Sequence, residues 1–427
     1  MEADTVTQAV LCQWAALTPA GKPQGDQWTV LAGFCLESDS GVKVLSLATG
    51  VRAAGHEDVV PHWEDGLLVH GGQLVVVDCH AEVLARRALN RLVLLEILAL
   101  QRQPQTSTVL VALEDNKLVF RPRGKLHLYV SYLPCGDAHI CAVSGEERSL
   151  GPSKRARLQH VAARVNLTGA KPLLPGSDSR EVGGDFHAVE VLRSKSVRSD
   201  VPLRRRPVSV SCSDKVMRWL HLGLQTKGVG ALVGGSLELH SLIIGGDLFD
   251  ATRLRRTFVD RCRERTQLQT PTVIRHTTLA FENARESVTA ETRKRKLNPP
   301  TSGVSVVWLA SPAGGTKEVL AGGYLAGCSK AKLNGCRFVS TLSKKAMASL
   351  LFLCLKECGQ LVDPNMTYKE AKNRGRTKRH EAFEAGFPEW TPKSALNQHW
   401  AAIEVEVDAF VPEPTEEAAV LSRKPRK

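Results

Sequence analysis

Three short segments carry the residue types of a metal-assisted hydrolase: Asp78-Cys79-His80-Ala81-Glu82, Pro134-Cys135-Gly136-Asp137-Ala138 and Ser211-Cys212-Ser213-Asp214-Lys215. One imidazole and two thiolates suit a tetrahedral zinc ion whose fourth position is left to water. Zinc lowers the pKa of such a water to near neutrality. His80, Cys135 and Cys212 are the expected ligands. Glu82, two residues after His80, is the acidic residue of that motif placed to move protons without binding the metal. This is the equipment for hydrolytic deamination of a nucleobase. There, one carboxyl takes a proton from water, gives it to the ring and later protonates the departing amine. His-Ala-Glu alone is a weak signal, as is Pro-Cys, and a free cysteine is more often a small buried hydrophobe. The weight lies in the combination. Cys79 and Cys141 are the rival ligands, and Cys79 adjoins His80, where joint ligation strains the chain.

The elements that must position these residues follow from periodicity. Leu74-Val75-Val76-Val77 reads as a strand or an apolar approach, and Asp78 as a helix N-cap. Val83, Leu84, Ala88, Leu92, Leu95 and Leu98 give an apolar helical face, with His80 and Glu82 in its first turn. Leu126 to Leu133 is strand-like, and Cys135 is expected to open a second helical stretch. Cys212 follows Pro207-Val208-Ser209-Val210 and precedes a helical run from Lys215 to Leu220. Three strand-to-helix junctions would bring the ligands to helix N-termini, where a thiolate is favoured.

Beyond the motifs, a helix and then strands are expected from Val10 to Arg52, turning at Ser38-Asp39-Ser40-Gly41. His56 to Leu74 reads as an insert. Strands are expected at His240 to Gly245 and Val304 to Trp308, and helices at Asp250 to Glu264 and Ser343 to Leu355. This alternation fits an α/β domain with a mixed sheet, helices on both faces and a single zinc at the sheet's edge. One large domain spans residues 1–412, with a loop-rich insert at about 143–207. A basic tail occupies 413–427.

Composition agrees. The 427 residues are 43% hydrophobic, enough for a substantial core, and no stretch has the uncharged apolar length of a membrane span. Met1-Glu2-Ala3-Asp4 lacks the basic and apolar regions of a signal peptide. Eleven cysteines without disulfide-like spacing suit a reducing compartment. The net charge of +13 suits a polyanionic partner, and the charge is clustered at Arg204 to Arg206, Arg253 to Arg256, Arg261 to Arg265, Arg293 to Lys296 and Lys372 to Arg379. Any single run reads as a solvated face; together they point to RNA backbone contacts. Aromatics are 5%, too few for a base-stacking platform, so a folded RNA with one flipped base is expected.

The spacing of the cysteines narrows the field. Cytidine deaminases and bacterial-type tRNA deaminases hold theirs in a compact Pro-Cys-x-x-Cys. Here Ala138 stands three after Cys135, and Cys212 comes 77 residues on. With the motifs around His80 and Cys212, this pattern resembles the adenosine deaminases that act on RNA. Gly21-Lys22-Pro23 and Gln27-Trp28-Thr29-Val30-Leu31-Ala32 look like the tRNA-specific branch. The resemblance runs from about Val10 to Trp390. It implies a cytidine-deaminase-like fold enlarged by C-terminal helical and strand elements. It implies adenosine-to-inosine conversion just 3′ of the anticodon of alanine tRNA, by a monomer in the nucleus and/or cytoplasm. The family buries inositol hexakisphosphate beneath its active site, and the matching positions are Arg86, Arg87, Lys215, Arg218, Trp219, Lys344, Tyr368, Lys372 and Trp390. The family's polar relay between metal and anion falls on Asp78, Lys215 and Gln225, with Lys195 alongside. Val51 and Val77 stand where the family has Thr and Asn. Editing of double-stranded RNA, or RNA binding around a structural zinc without catalysis, are the alternatives.

Overall fold

A computed structural model describes residues 2–59, 62–64, 67–69, 74–140, 169–173, 185–195, 201–292, 299–311, 315–327, 339–360, 363 and 366–390. Helix α1 (Glu2–Ala16) leads into the hairpin β1 (Leu31–Ser38) and β2 (Gly41–Thr49), then β3 (Val51–Ala53) and the small hairpin β4 (His62–Glu64) and β5 (Leu67–Val69). Strand β6 (Asp78–His80) runs straight into the long helix α2 (Ala81–Arg102). A hairpin of β7 (Val111–Glu114) and β8 (Lys117–Phe120) precedes β9 (Lys125–Val130). Next come β10 (Lys171–Pro172), β11 (Arg193–Ser194), α3 (Cys212–Leu222) and β12 (Ser241–Ile244). Helices α4 (Ala251–Arg255) and α5 (Arg261–Thr266) flank a π-helical stretch, Arg256–Asp260. The chain continues through β13 (Val273–His276), α6 (Arg285–Thr292), β14 (Val304–Leu309), β15 (Thr316–Ala321) and β16 (Tyr324–Leu325). Helices α7 (Lys344–Glu357), α8 (Tyr368–Asn373) and α9 (Lys378–Gly386) complete the described fold.

Eight strands form one mixed sheet in the order β13-β12-β9-β1-β2-β14-β15-β16. The β13-β12 and β12-β9 pairs are parallel and the remainder antiparallel. Alternation along the strands sorts side chains to two faces. Leu31, Cys35, Leu47, Tyr129, Ile243 and Trp308 meet Val6, Val10 and Trp14 of α1 on one face. Ala32, Phe34, Leu45, Leu128, Leu242 and Val307 meet α2, α3 and α7 on the other. A lone 15-residue helix such as α1 is marginal in water. Burial of Val6, Val10 and Trp14, at about 1.5–3 kcal/mol for each large side chain, holds it in place. The expected mixed sheet with helices on both faces is therefore present.

Helix α2 is the axis of the second layer. It packs on β1, β2, β14 and α7, and its buried residues include polar Asn90, Arg91 and Glu96 as well as the expected Leu84, Ala88, Leu92 and Leu98. Asn90 donates to Leu224 O (2.9 Å) and accepts from Thr226 N–H (2.7 Å), fastening the chain after α3 to the middle of α2. Glu96 accepts the backbone N–H groups of Val109, Leu110 and Val111. Helix ends follow side-chain chemistry: Ser343 caps α7, and Thr367 with Glu370 forms a capping box on α8.

Three expectations need correction. Asp78 does not cap α2: it lies in β6, paired antiparallel with β3, and His80 takes the N-cap position in extended backbone. The Asp78 carboxylate is drawn to Lys195 and Lys215 and meets only the N–H of His80, so it does not reach the first-turn amides. Cys135 opens no α-helix; Gly136, at φ 114°, turns the chain into a single 3₁₀ turn, Asp137–His139. A Cβ at Gly136 would meet Ser211 Oγ at 2.2 Å, so only glycine lets the Cys135 loop close on the start of α3. Finally, the ligands gather beyond the end of β9, an internal strand, and not along an outer strand. Of the loop-rich insert, residues 143–168, 174–184 and 196–200 lie outside the described residues. So do the Arg293 to Lys296 run, the boundary at 412 and the tail at 413–427.

Candidate functional site

His80, Cys135 and Cys212 converge, with their ligand atoms all within 4.8 Å of one another. His80 comes from the β6–α2 junction, Cys135 from the loop after β9, and Cys212 from the first residue of α3. His80 Nδ1 lies 3.8 Å from Cys135 Sγ, and Cys212 N–H donates to that sulfur at 3.4 Å. The Cys135 thiol is held well below its ordinary value by the hydrogen bond from Cys212, against burial, helped by the charges of His80 and Lys195. Glu82, in the first turn of α2, is 2% exposed. Its Oε2 lies 3.3 Å from Cys212 Sγ. Burial pushes the Glu82 carboxyl up, opposed by His80 and Lys195. A carboxyl so placed holds a proton more readily than one in water, which a proton shuttle requires. Cys79 lies apart from this trio: its thiol donates to Val76 O (3.2 Å), and burial pushes it up to about 12.

A buried ion network fixes the start of α3. Asp214 accepts from Ser211 Oγ (2.7 Å), Arg193 N–H (2.9 Å) and Arg261 Nη2 (2.8 Å), and both charged side chains of the Arg261–Asp214 pair are fully buried. Asp137, beside Cys135, accepts from Glu190 N–H and Thr257 Oγ1, each at 2.9 Å, and pairs with Arg256. The π-helical stretch thus supplies partners to the cysteine loop. Nothing in the sequence motifs marked Thr257 for this work, or Arg256 and Arg261 beyond their place in basic runs.

Asp78 joins the metal trio to a second site. His80 N–H donates to Asp78 Oδ1 at 3.2 Å, Lys195 Nζ donates to the same oxygen at 2.7 Å, and Lys215 Nζ donates to Oδ2. Burial alone would raise Asp78; Lys195 and Lys215 overcome it and hold the carboxyl well below the usual range. Asp78 thus pairs with both Lys215 and Lys195. The Gln225 side chain is engaged elsewhere: it donates to Leu222 O (3.1 Å) and accepts Leu237 N–H (2.9 Å). Val51 pairs with His80 across β3 and β6.

Beyond Asp78 opens a cavity of about 490 Å³. All nine residues expected from the resemblance line it: Arg86, Arg87, Lys215, Arg218, Trp219, Lys344, Tyr368, Lys372 and Trp390. Lys227, Lys369 and His380 line it too and were not anticipated; as single basic residues near α8 and α9 they look like surface charge in sequence. The acidic lining is Asp78 and Glu384, and Glu384 already pairs with Lys227 and Arg376. Among the described residues no carboxylate pairs with Arg86, Arg87, Arg218, Lys344 or Lys372. Arg86 stacks 4.9 Å from Trp219 and donates to Gln225 O, while its buried Nε makes no hydrogen bond. The crowding shows in the titration. Burial, with Arg218 and Arg87, pulls Arg86 down to about 9. Burial, with Arg87 and Lys372, pulls Lys344 down to about 8. Burial, with Lys227, Arg218 and Lys369, pulls Lys372 down to about 8. Unpaired buried cations are costly, so this lining fits a compact polyanion.

The chain is similar to known proteins. The Adenosine-deaminase (editase) domain matches residues 46–394. Over 410 residues the chain is 27% identical to a tRNA-specific adenosine deaminase 1 of Drosophila melanogaster, covering 91% of this chain and 94% of that one. The mouse protein of that name is 34% identical over 194 residues, 42% of this chain and 36% of its own. A mouse double-stranded RNA-specific editase B2 is 27% identical over 254 residues, 57% of this chain and 30% of its own. The domain match spans most of the fold described above, from β2 to beyond α9, and the chain belongs to the adenosine-deaminase (editase) family.

Proposed function

We propose that this chain converts adenosine to inosine in tRNA by hydrolytic deamination, acting as a monomer on the adenosine just 3′ of the anticodon of alanine tRNA. The observation that carries the chemistry is the convergence of His80, Cys135 and Cys212 around one point with buried Glu82 against Cys212. The donor set, one imidazole nitrogen and two thiolates, fits zinc. When bound, zinc supplies the Lewis acidity that makes hydroxide available near neutral pH. Glu82 accepts a proton from the attacking water and delivers it to the purine ring; it then takes the proton of the new C6 hydroxyl and passes it to the amine, so that ammonia departs and inosine keeps the ring proton. Lys195 and Lys215 hold Asp78, and Asp78 in turn holds the His80 backbone, which fixes the imidazole for its task. Burial of Glu82 keeps bulk water from competing for its proton.

The tRNA assignment is supported by the fly relative, whose likeness covers nearly the whole of both chains. Arg204, Arg205 and Arg255 are exposed, and their surface pairs with Glu57 and Asp260 would have to yield for them to contact phosphates. Such a substrate would place the protein in the nucleus and/or cytoplasm. We assign inositol hexakisphosphate to the cavity, where Arg86, Arg87, Arg218, Lys344 and Lys372 would meet its phosphates and Asp78–Lys215 would link it to His80.

The test is inosine formation in unmodified alanine tRNA and, in parallel, in a long RNA duplex. Inosine beside the anticodon supports the reading. Inosine only in the duplex would move the chain to the editing of double-stranded RNA.

A further inference from the structure

We propose that Glu2, Glu37 and His127 form a second divalent-cation site, of the zinc-binding class, at the opposite end of β9 from Cys135. Their ligand atoms all lie within 4.8 Å of one another, and each comes from a different element: the first turn of α1, the end of β1, and β9.

His127 is fully buried on the α1 face of the sheet. Its Nδ1 is matched to Ser241 Oγ at 2.8 Å, which leaves Nε2 as the free edge of the ring. Nε2 faces Glu37 Oε2 at 3.4 Å, an ion-pair contact without good hydrogen-bond geometry. Glu2 Oε1 is also buried and makes none; it lies 3.8 Å from His127 Nδ1 and 3.4 Å from His240 Nε2. Buried carboxylates are paired or coordinate a metal. A shared proton would draw donor and acceptor to about 2.7–3.2 Å. Two ligands of one tetrahedral zinc, each about 2.0–2.1 Å from the metal, stand about 3.3–3.5 Å apart. The 3.4 Å between His127 Nε2 and Glu37 is compatible with either case, and Glu2 Oε1, 3.8 Å from the ring at Nδ1, would have to move toward Nε2 to share the ion.

The surroundings suit a metal. Ser241 orients the His127 ring as outer partners of metal-bound histidines do. Arg275 takes the other Glu2 oxygen at 2.9 Å, leaving Oε1 turned inward, and Lys125 stands 4.0 Å from Glu37. Glu2 and Glu37 keep 22% and 29% of their side-chain surface, which gives an ion a way in. His240, across Glu2, is the neighbour that would complete the shell on a small rotation.

The experiment uses the full chain, stripped with chelator and titrated with zinc alone, with bound metal counted by elemental mass spectrometry. Wild type is expected to take up two equivalents and the Glu2→Gln/Glu37→Gln double variant one. The amides keep the shape of both side chains, and circular dichroism checks the fold, which His127→Ala risks. Cobalt in place of zinc separates the two sites, because only ligation by Cys135 and Cys212 gives thiolate charge-transfer absorption. A single equivalent in wild type that carries that absorption overturns the proposal, as does a double variant that keeps both equivalents. A single equivalent without the absorption, lost in the double variant, supports this site and counts instead against the cysteine centre.

Discussion

Stripped of any anion, the protein should grow more stable as the solution turns alkaline. Lys344 and Lys372 sit among the arginines of the cavity, and their folded values fall from an ordinary 10.5 to about 8. Between those limits the unfolded chain still holds protons that the folded chain has shed, so stability rises with pH across the window. A gap of that size is worth about 3 kcal/mol for each lysine. The pair yields less than twice that, because part of the Lys344 shift comes from Lys372 itself. A total on the order of 3–5 kcal/mol is expected. Buried thiols such as Cys79 and Cys262, raised when folded, oppose the trend above about pH 9, so urea unfolding midpoints of stripped wild type are taken relative to stripped Lys344→Met/Lys372→Met, from about pH 7.5 to about pH 10. Inositol hexakisphosphate should abolish or invert the slope, since lysines bound to phosphate keep their protons when folded and that stabilisation is lost as they titrate at high pH. Lys344→Met should raise the stability of the stripped protein near neutrality while weakening the anion's effect. A flat difference between the stripped wild type and that double variant, with no gain from added anion near neutrality, would refute the reasoning.

Other consequences are more local. Glu82→Gln should lower turnover by about 10²-fold or more while one equivalent of metal remains at the cysteine centre, as inosine assays paired with metal analysis would show. Cys135→Ser and Cys212→Ser should each lose that metal, with solubility falling alongside; full retention in both would remove them from the ligand set. Asp214→Asn leaves Arg261 buried and unpaired at the start of α3, and should cost about 3–5 kcal/mol in urea unfolding.

Much of the site was legible because its chemistry demands particular residue types at particular junctions. His80, Cys135 and Cys212 could be read as a set, and the fold joins them although 77 residues separate the cysteines. The cavity lining was legible through family likeness; periodicity alone marked only Arg86 and Arg87, on a helix with a long apolar face. What escaped was local conformation set by tertiary partners. Asp78 has the chemistry of an N-cap, but Lys195 and Lys215 compete for its oxygens and win, so α2 starts later. Cys135 precedes helix-compatible residues, yet Gly136 at positive φ is required for the loop to meet Ser211. Lys195, Lys227 and Lys369 were hard to place because an isolated lysine looks the same in sequence whether it lines a cavity or faces water. The anchoring of Asp214 by Arg261 pairs residues 47 apart and has no short-range signature.

The most direct measurement is inosine in unmodified eukaryotic alanine tRNA after incubation with zinc-loaded wild type and with Glu82→Ala. Inosine at the adenosine 3′ of the anticodon with wild type, and none with the variant, is the predicted result. It would tie the reaction, the base and the role of Glu82 together. No inosine from wild type in either this tRNA or duplex RNA, with the metal in place, would contradict the account and leave an RNA-binding protein built around a structural zinc.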